Sequence, residues 1–330
     1  MRKLFVPIAA GTLALALTAC GGTPAKSSTS GSPAADDGKY KVGISQIVSH
    51  PSLDASVKGF KSALKDAGLE VTYDDQNAQN DQGTASSIAA KFATQDLDLI
   101  LAVATPMAQA VAGKVTDVPV LFTAVTDPEA AKLVASNNAP GGNVTGTTDM
   151  NPVAEQIDLV KQVKPQAKKV GIIYSSGEVN SEVQVKLARE EAKAQGLEVV
   201  EKTVTNSSEV VQAAQALEGV DAIYVPTDNT VVSALASVIQ YAEANKILVV
   251  VGESDSVSKG GALTYGLDYE TLGRQTGEMA VKILKGEAKP ETMAVEAQKT
   301  PQLVVNPKAA ERMGSPLPQE LLDKADKTVE

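Results

Sequence analysis

Polar side chains with binding chemistry recur where buried strands are predicted to end. Ligands of parallel α/β sheets bind outside the carboxyl ends of the strands, so these side chains are expected to contact a bound molecule. Their hydroxyl, amide and carboxylate groups suit a small polar ligand. We predict ligand contacts from Gln46, Thr105, Thr126, Asp127, Ser175, Glu178, Asn180, Ser181, Asp228, Asn229, Glu253 and Asp268.

The charges of these residues suit a zwitterionic ligand. Thr105 and Asp127 each precede a proline at a predicted helix start, where free N–H groups attract a carboxylate. The polar turn at residues 175–181 precedes another helix and has the same potential. Asp228 and Glu253 could hold an ammonium group. The alternative is a purely structural role in which these residues only cap helices, and the sequence leaves both possibilities open.

Motifs of catalysis are absent from the sequence. It contains no Gly-x-Gly-x-x-Gly after the first predicted strand, no phosphate-binding Gly-x-x-x-x-Gly-Lys loop and no Gly-x-Ser-x-Gly elbow. The single histidine, His50, precedes Pro51 and is interpreted as a capping or cleft-lining residue rather than a base. One His and one Cys also argue against a transition-metal site. We therefore expect a binding protein without metal or cofactor, not an enzyme.

The elements that position these residues alternate between strands and helices. A strand opens at Lys41, and residues 53–67 follow with apolar side chains at helical spacing. Buried strands are predicted at residues 97–105 and 118–125, each followed by a helix. This order predicts an α/β fold with mostly parallel sheets. Near the C-terminus we predict strands at 262–268, 292–297 and 302–305 and a helix at 269–284.

The strand and helix pattern occurs twice. Lys169-Val170-Gly171-Ile172 repeats Lys41-Val42-Gly43-Ile44 after 128 residues, and Gly196-Leu197-Glu198-Val199 repeats Gly68-Leu69-Glu70-Val71 at the same offset. The order and near-constant offset of these repeated segments predict two similar lobes that face each other across a cleft.

The junction between the lobes is predicted near residues 144–151. Asn151 and Pro152 make a suitable helix start, with Asn as the N-cap. The C-terminal third breaks the tandem order, so we expect it to cross back to the first lobe and return. The predicted first lobe combines residues 39–148 with about 266–297, and the second combines 149–265 with about 298–330.

The N-terminus has the pattern of a bacterial lipoprotein signal. Arg2 and Lys3 precede an apolar run that is too short to span a bilayer stably. The run ends in Leu17-Thr18-Ala19-Cys20, which fits a lipobox. We predict a signal peptide over residues 1–20, fatty acylation (palmitate) of Cys20, and a flexible linker over residues 21–38, whose composition lacks large apolar side chains.

The composition restricts the partners. The formal net charge is −10, which disfavours nucleic acid and anionic bilayer surfaces. We expect a monomer that is held outside the cytoplasm by its lipid anchor and binds a small molecule.

Several longer sequence segments match one protein family. They are Gln46-Ile47-Val48-Ser49-His50-Pro51-Ser52-Leu53-Asp54, Gln76-Asn77-Ala78-Gln79, Ala104-Thr105-Pro106, Ala124-Val125-Thr126-Asp127-Pro128, Pro140-Gly141-Gly142-Asn143-Val144-Thr145-Gly146, Tyr174-Ser175 with Glu178 and Asn180-Ser181, Pro226-Thr227-Asp228-Asn229 and Leu272-Gly273-Arg274. Over residues 40–315 the chain resembles substrate-binding lipoproteins of ABC transporters, of the tryptophan- and tyrosine-binding type.

The resemblance implies a type I periplasmic-binding-protein fold, with two Rossmann-like lobes joined by three crossings. It also implies an ATP-driven importer, so an ABC permease and its ATPase in the membrane are the expected partners. Aromatic amino acids are ligands of some members of this family. The alternative is a sensor or a surface adhesin that uses the same fold without transport.

Overall fold

The computed structural model describes residues 39–330. The predicted signal peptide, the linker and the lipidation site at Cys20 lie outside the described residues. Within residues 39–330, no helix is long and apolar enough to cross a membrane.

The first part of this range alternates strands and helices, as the apolar pattern predicts. Its elements are β1 (Lys39–Gln46), α1 (Pro51–Asp66), β2 (Glu70–Asn77), α2 (Gln82–Phe92), β3 (Leu99–Val103), α3 (Thr105–Ala112), β4 (Val120–Val125) and β5 (Val144–Thr148). All residues of β3 and β4 are buried, because helices cover both faces of a parallel sheet.

The middle part repeats this order. Its elements are α4 (Val153–Val163), β6 (Lys169–Ser175), α5 (Val179–Ala194), β7 (Glu198–Val204), a 3₁₀ turn (Ser207–Glu209), α6 (Val210–Gln215), β8 (Ala222–Val225), α7 (Asn229–Ser233), α8 (Leu235–Asn245), β9 (Leu248–Val251), α9 (Ser254–Ser258) and β10 (Leu263–Gly266). The short helices α7 and α9 begin directly after β8 and β9, at the predicted ligand side.

The last part contributes to both sheets. Its elements are α10 (Tyr269–Leu284), a 3₁₀ turn (Pro290–Thr292), β11 (Glu296–Ala297), β12 (Gln302–Val305), α11 (Pro307–Arg312), α12 (Gln319–Lys324) and β13 (Lys327–Thr328). Helix α10 packs on α1, and its apolar face joins the core of the first lobe.

Two sheets form the two lobes. The first sheet has the order β11-β5-β4-β3-β1-β2, and all its neighbours are parallel. The second has the order β13-β12-β10-β9-β8-β6-β7 and is parallel except for the pair β10 and β12. Each sheet is surrounded by its own apolar core. The predicted α/β fold with two parallel-dominated lobes is confirmed.

The repeated sequence segments form the same hydrogen bond in both lobes. The Asp98 carboxylate accepts a hydrogen bond from the backbone N–H of Lys41 at 2.7 Å. In the second lobe, Asp221 accepts one from the backbone N–H of Lys169 at 2.9 Å. Each aspartate thereby joins the beginning of a central strand to the loop that precedes its neighbour.

The chain passes between the sheets after β5, after β10 and after β11. Asn151 connects the first two crossings, because its Oδ1 accepts from Leu267 N at 3.1 Å and its Nδ2 donates to Asp149 O at 2.9 Å. The prediction that Asn151 caps a helix is therefore wrong. Pro152 occupies the N-cap position of α4 instead.

Three local predictions differ from the structure. No helix follows Asp127, because Lys132 adopts a left-handed φ of 58° after one turn of chain. Thr105 is the first residue inside α3 rather than its cap, and Ala104 precedes the helix with φ 77°. The strand predicted at residues 292–297 is reduced to β11, because the chain around Pro290 forms a 3₁₀ turn.

Candidate ligand-binding site

The carboxyl ends of the two sheets meet around a small enclosed cavity. Its volume is about 10 Å³, and both lobes contribute to its wall. The wall residues are His50, Leu53, Ala124, Thr126, Asp149, Asn180, Thr227, Asp228, Asn229 and Glu253. We call this space the central cavity. Because its walls belong to two hinged lobes, its volume depends on how far the lobes close.

Several buried polar atoms at this cleft lack a hydrogen-bond partner. Four of them belong to residues of the cavity wall, and they are His50 Nδ1, Asn180 Oδ1, Thr227 Oγ1 and Glu253 Oε2. Leaving a buried polar atom unpaired costs about 1–3 kcal/mol, so native proteins rarely do so without a reason. Their concentration at one cleft indicates a place where a polar ligand supplies the missing partners.

Of the three carboxylates that border the central cavity, Glu253 accepts the fewest hydrogen bonds. It lies between β9 and α9, and only 1 % of its surface is exposed. Its Oε1 accepts a hydrogen bond from Ser256 Oγ at 2.9 Å, whereas Oε2 accepts none. The hydroxyl of Ser52 lies near enough to the carboxylate to lower its pKa, as the bond from Ser256 does. It makes no hydrogen bond to the N-terminal N–H groups of α9. Burial raises the pKa of Glu253 to about 8, because a charged carboxylate is unfavourable in a dry site.

His50 faces Glu253 from the other lobe. Its Nδ1 lies 3.9 Å from Glu253 Oε1, which is beyond hydrogen-bond distance. His50 occupies the N-cap position of α1, yet its side chain makes no capping bond. Burial lowers the pKa of His50, although Asn229 and Asp54 oppose this shift. Of the two roles predicted for His50, the structure shows no helix-capping bond and places the side chain in the wall of the cleft.

Asp228 holds the wall of the second lobe together. Its carboxylate accepts hydrogen bonds from Ser175 N at 2.6 Å, Ser181 Oγ at 2.6 Å and Val231 N at 2.7 Å. The last of these caps α7. Burial, and then the charge of Glu178, raise the pKa of Asp228 to about 7. Although Asp228 borders the central cavity, its oxygens already serve three protein donors.

Glu178 fixes the two asparagines of the cavity wall. Its carboxylate accepts from Asn180 Nδ2 at 3.0 Å and from Asn229 N at 3.1 Å and Nδ2 at 2.5 Å. It also accepts from Thr230 N at 3.0 Å and Thr230 Oγ1 at 2.8 Å. Sequence reasoning could place Glu178 at the cleft but could not foresee that its bonds would be to protein groups.

The wall of the first lobe is built around a residue that the sequence analysis did not select. Asp149 follows β5 and accepts from Thr126 Oγ1 at 3.0 Å and from the hydroxyl of Tyr269 at 2.7 Å. Burial raises the pKa of Asp149. Its position after a strand end was the available signal, but β5 is rich in Thr and Gly and was not recognised as a strand. Thr227, directly before Asp228, was also missed.

The remaining predicted residues lie outside the central cavity. Gln46 donates to Val48 O and to Asp54 Oδ1, both at 2.7 Å. Asp127 accepts from Ala130 N at 2.9 Å in a turn, and the exposed Asp268 caps α10 by accepting from Thr271 N at 2.7 Å. Thr105 is buried at the start of α3, which packs against α5 of the other lobe.

The electrostatics of the cavity favour a cationic group. Asp149, Asp228 and Glu253 border it, and among residues 39–330 no Lys or Arg does. The described residues contain no cluster of His, Cys, Asp and Glu that could hold a metal ion. An ammonium ion would relieve the unfavourable burial of these carboxyl groups when they ionise.

A sequence model of the ABC transporter substrate binding protein family matches residues 41–329. Given the two parallel-sheet lobes and the cleft between them, the chain belongs to this family. Its members bind small molecules outside the cytoplasm and work with an ABC permease, so the family consists of binding proteins rather than enzymes.

Individual relatives agree with this assignment. The chain is 45% identical to the tyrosine-binding protein of Clostridioides difficile, over 87% of this chain and 85% of that protein. It is 36% identical to an ABC domain from Streptococcus pneumoniae solved in complex with L-Trp, with a TM-score of 0.85 over 88% of this chain and 100% of that one. The type I periplasmic-binding-protein fold is therefore confirmed.

A third relative indicates the state of the lobes. The ligand-free, open structure of a substrate binding protein with adhesive properties from Clostridium difficile is 44% identical, covering 88% of this chain and 99% of that chain. Its TM-score is only 0.66, lower than that of the less similar L-Trp complex. The lobes described here are therefore arranged more like those of the relative in complex with L-Trp than those of the open relative, and we call this arrangement closed.

Proposed function

We propose that this chain captures an amino acid, with an aromatic side chain favoured, between its lobes and presents it to an ABC importer. The ligand binds the open form, and contacts from both lobes favour the closed form, which docks on the permease. In this proposal Cys20 is lipidated and anchors the protein to the outside of the cell membrane. The protein acts as a monomer.

The observation that carries the proposal is the unpartnered Oε2 of buried Glu253 in a cavity whose lining includes no Lys or Arg among residues 39–330. A ligand ammonium group would bond this oxygen and lie close to His50. The unpartnered hydroxyl of Thr227, which lines the same cavity, would donate a hydrogen bond to the ligand carboxylate. A hydroxyl donor and a carboxylate in the same cavity are complementary to a zwitterion.

The aromatic preference is supported by the relatives. One is named for tyrosine binding, and another was solved with L-Trp. Both exceed 30% identity over most of this chain, and both support a ligand of the same class here.

Surface adhesion is a second candidate function. It is favoured by the relative described as having adhesive properties, which is 44% identical to this chain. Adhesion would need no importer. Deleting the gene for the neighbouring permease would abolish uptake of the ligand but leave adhesion to a host-cell layer unchanged.

Isothermal titration calorimetry with each of the twenty amino acids tests the proposal. We expect one-to-one binding of an aromatic amino acid, with a negative heat-capacity change because apolar surface is buried. A sugar or carboxylic acid without an amine serves as the control and should give no heat. The proposal is wrong if no amino acid binds.

A further inference from the structure

A second, larger cavity adjoins the central one. Its volume is about 260 Å³, and it lies between the start of α1 in the first lobe and α7, α8 and α9 in the second. We call it the outer cavity.

Two residues border both cavities. His50 and Glu253 line the central cavity and also the outer one. They therefore mark the boundary between the two spaces, and the unpartnered Oε2 of Glu253 belongs to this boundary. An amino acid whose ammonium group binds Glu253 has its α-carbon close to the boundary, so its side chain must extend toward one of the neighbouring spaces.

The walls of the outer cavity are suited to an apolar side chain. Pro51 comes from the first lobe, and Val232, Leu235 and Ala236 come from the second. Polar residues line the rest of the cavity, and they are Ser49, His50, Ser233, Glu253, Asp255, Ser256 and Lys259. Apolar side chains beside polar groups that fix orientation form a site for an aromatic or aliphatic group.

The cavity on the opposite side of the cleft has different chemistry. Its volume is about 180 Å³, and its lining includes Asn80, Gln82, Gln109 and Glu178 but no large apolar side chain. An aromatic ring there would desolvate these polar groups without pairing them, which is unfavourable. The central cavity itself is too small for a ring in the closed state.

We propose that the outer cavity is the side-chain pocket of the ligand and that Val232, Leu235 and Ala236 determine its selectivity. This inference rests on the proposed function, since it presupposes an amino acid with its ammonium group at Glu253. The pocket selects large apolar side chains because they bury apolar surface against residues of both lobes, which small amino acids cannot do.

Substitution Ala236→Phe tests this proposal. Ala236 is exposed and is the second residue of α8, so a larger side chain there fills the outer cavity without disturbing the core. Ala244→Phe is the matched control, because Ala244 is an exposed alanine of the same helix that does not line the cavity. Binding of L-phenylalanine and of L-alanine is measured by calorimetry and by ligand-observed NMR.

We expect Ala236→Phe to raise the Kd for L-phenylalanine by about tenfold or more while the Kd for L-alanine stays within about twofold. Ala244→Phe should bind both like the wild type. Unchanged phenylalanine binding in Ala236→Phe would overturn the side-chain pocket but not the proposed function. An equal loss of binding of both ligands would also overturn the pocket, because the cavity would then affect lobe closure rather than selectivity. If the wild type binds neither ligand nor any other amino acid, the proposed function itself fails.

Discussion

Asp228 and Glu253 follow neighbouring strands of the second sheet, and the sequence assigns them the same chemistry. The structure distinguishes them by their partners. Asp228 serves three protein donors, one of which caps α7. Glu253 has one donor and a free oxygen at the boundary of two cavities. A role in folding is therefore assigned to the first and a role in binding is proposed for the second.

Substituting the two carboxylates should separate these roles. Removing one partner of a desolvated charge pair costs about 2–5 kcal/mol, so Glu253→Gln should weaken amino-acid binding roughly 30-fold or more with little loss of thermal stability. Asp228→Asn should mainly lower the melting temperature, because it disturbs a helix cap worth about 1 kcal/mol and two further bonds. Calorimetry and thermal unfolding measure the two effects. Wild-type affinity in Glu253→Gln would show that the ammonium site lies elsewhere.

The titration of Glu253 predicts how stability depends on pH. Its pKa is about 8 in the folded protein against an ordinary value of 4.5, so between these values the folded state holds a proton that the unfolded state has lost. The free energy of unfolding of the ligand-free protein therefore falls as pH rises through this window, by up to about 1.4 kcal/mol per pH unit from one carboxyl. Asp228, with a pKa of about 7, acts in the same direction.

His50 opposes this trend at lower pH. Its pKa is lowered from 6.5, so the unfolded state gains a proton first and stability is lost as pH falls below that value. Urea denaturation should therefore be compared between pH 6.5 and 8. We expect a shallower slope in Glu253→Gln than in the wild type, and equal slopes would refute the assigned pKa.

At the scale of single residues, the sequence could predict position better than role. The rule that ligands bind at the carboxyl ends of strands located His50, Asp228 and Glu253, because each of these residues follows an apolar run that predicts a strand. It could not foresee that Glu178 would bond five protein groups, since those donors come from α5 and α7 and meet only after folding.

At the scale of elements, the repeated sequence segments were the strongest indication of the strand and helix order. The paired contacts of Asp98 and Asp221 show why, because each repeats the same hydrogen bond to the start of a central strand. The prediction failed after Asp127, where a proline and a plausible cap indicated a helix. The left-handed Lys132 stops that helix after one turn, and local pattern alone does not reveal such a reversal.

One loop connects the two lobes directly. Gln79 and Asn80 between β2 and α2 both have left-handed φ values, 53° and 60°. Asn80 Nδ2 donates to Thr230 Oγ1 of the second lobe at 2.9 Å, and Thr230 Oγ1 is bound to Glu178 in turn. Strained backbone at a cleft indicates a functional constraint. This hydrogen bond is available only while the lobes are closed.

Asn80→Gly should therefore destabilise the closed state. Glycine tolerates the left-handed backbone, so the change removes the inter-lobe hydrogen bond without adding strain. Loss of about 1 kcal/mol predicts ligand dissociation about fivefold faster, measured by stopped-flow fluorescence or surface plasmon resonance. Gln79→Gly is the control, because it has the same backbone conformation without an inter-lobe bond. Equal effects of the two variants would attribute the change to loop flexibility.

At the scale of the whole molecule, the sequence predicted two lobes and resembled one family, and the family model and the relatives confirm both. The ligand class could not be read from composition, because a cleft of hydroxyls and carboxylates suits many zwitterions. The arrangement of the lobes was also beyond sequence reasoning, since it depends on contacts between residues far apart in the chain, such as His50 and Glu253.

The proposed membrane anchor predicts a separation of folding from location. Cys20 is the only cysteine in the chain and lies before the described body. Cys20→Ala should leave ligand binding and melting temperature unchanged but release the protein from the membrane fraction into the surrounding medium or periplasm. Cell fractionation with immunoblotting measures this, and Ser27→Ala in the predicted linker is the control. Membrane association of Cys20→Ala equal to that of the wild type would disprove lipid anchoring through this residue.

Native mass spectrometry of the purified full-length protein tests the central claim most directly. If the lobes close around a ligand that carries an ammonium group, as proposed, protein isolated from its own cells should retain one bound molecule per chain. After denaturation we expect this molecule to be an aromatic amino acid, and we expect its occupancy to fall sharply in Glu253→Gln. A bound molecule without an amine, or an amino acid retained equally by Glu253→Gln, would contradict the proposed site.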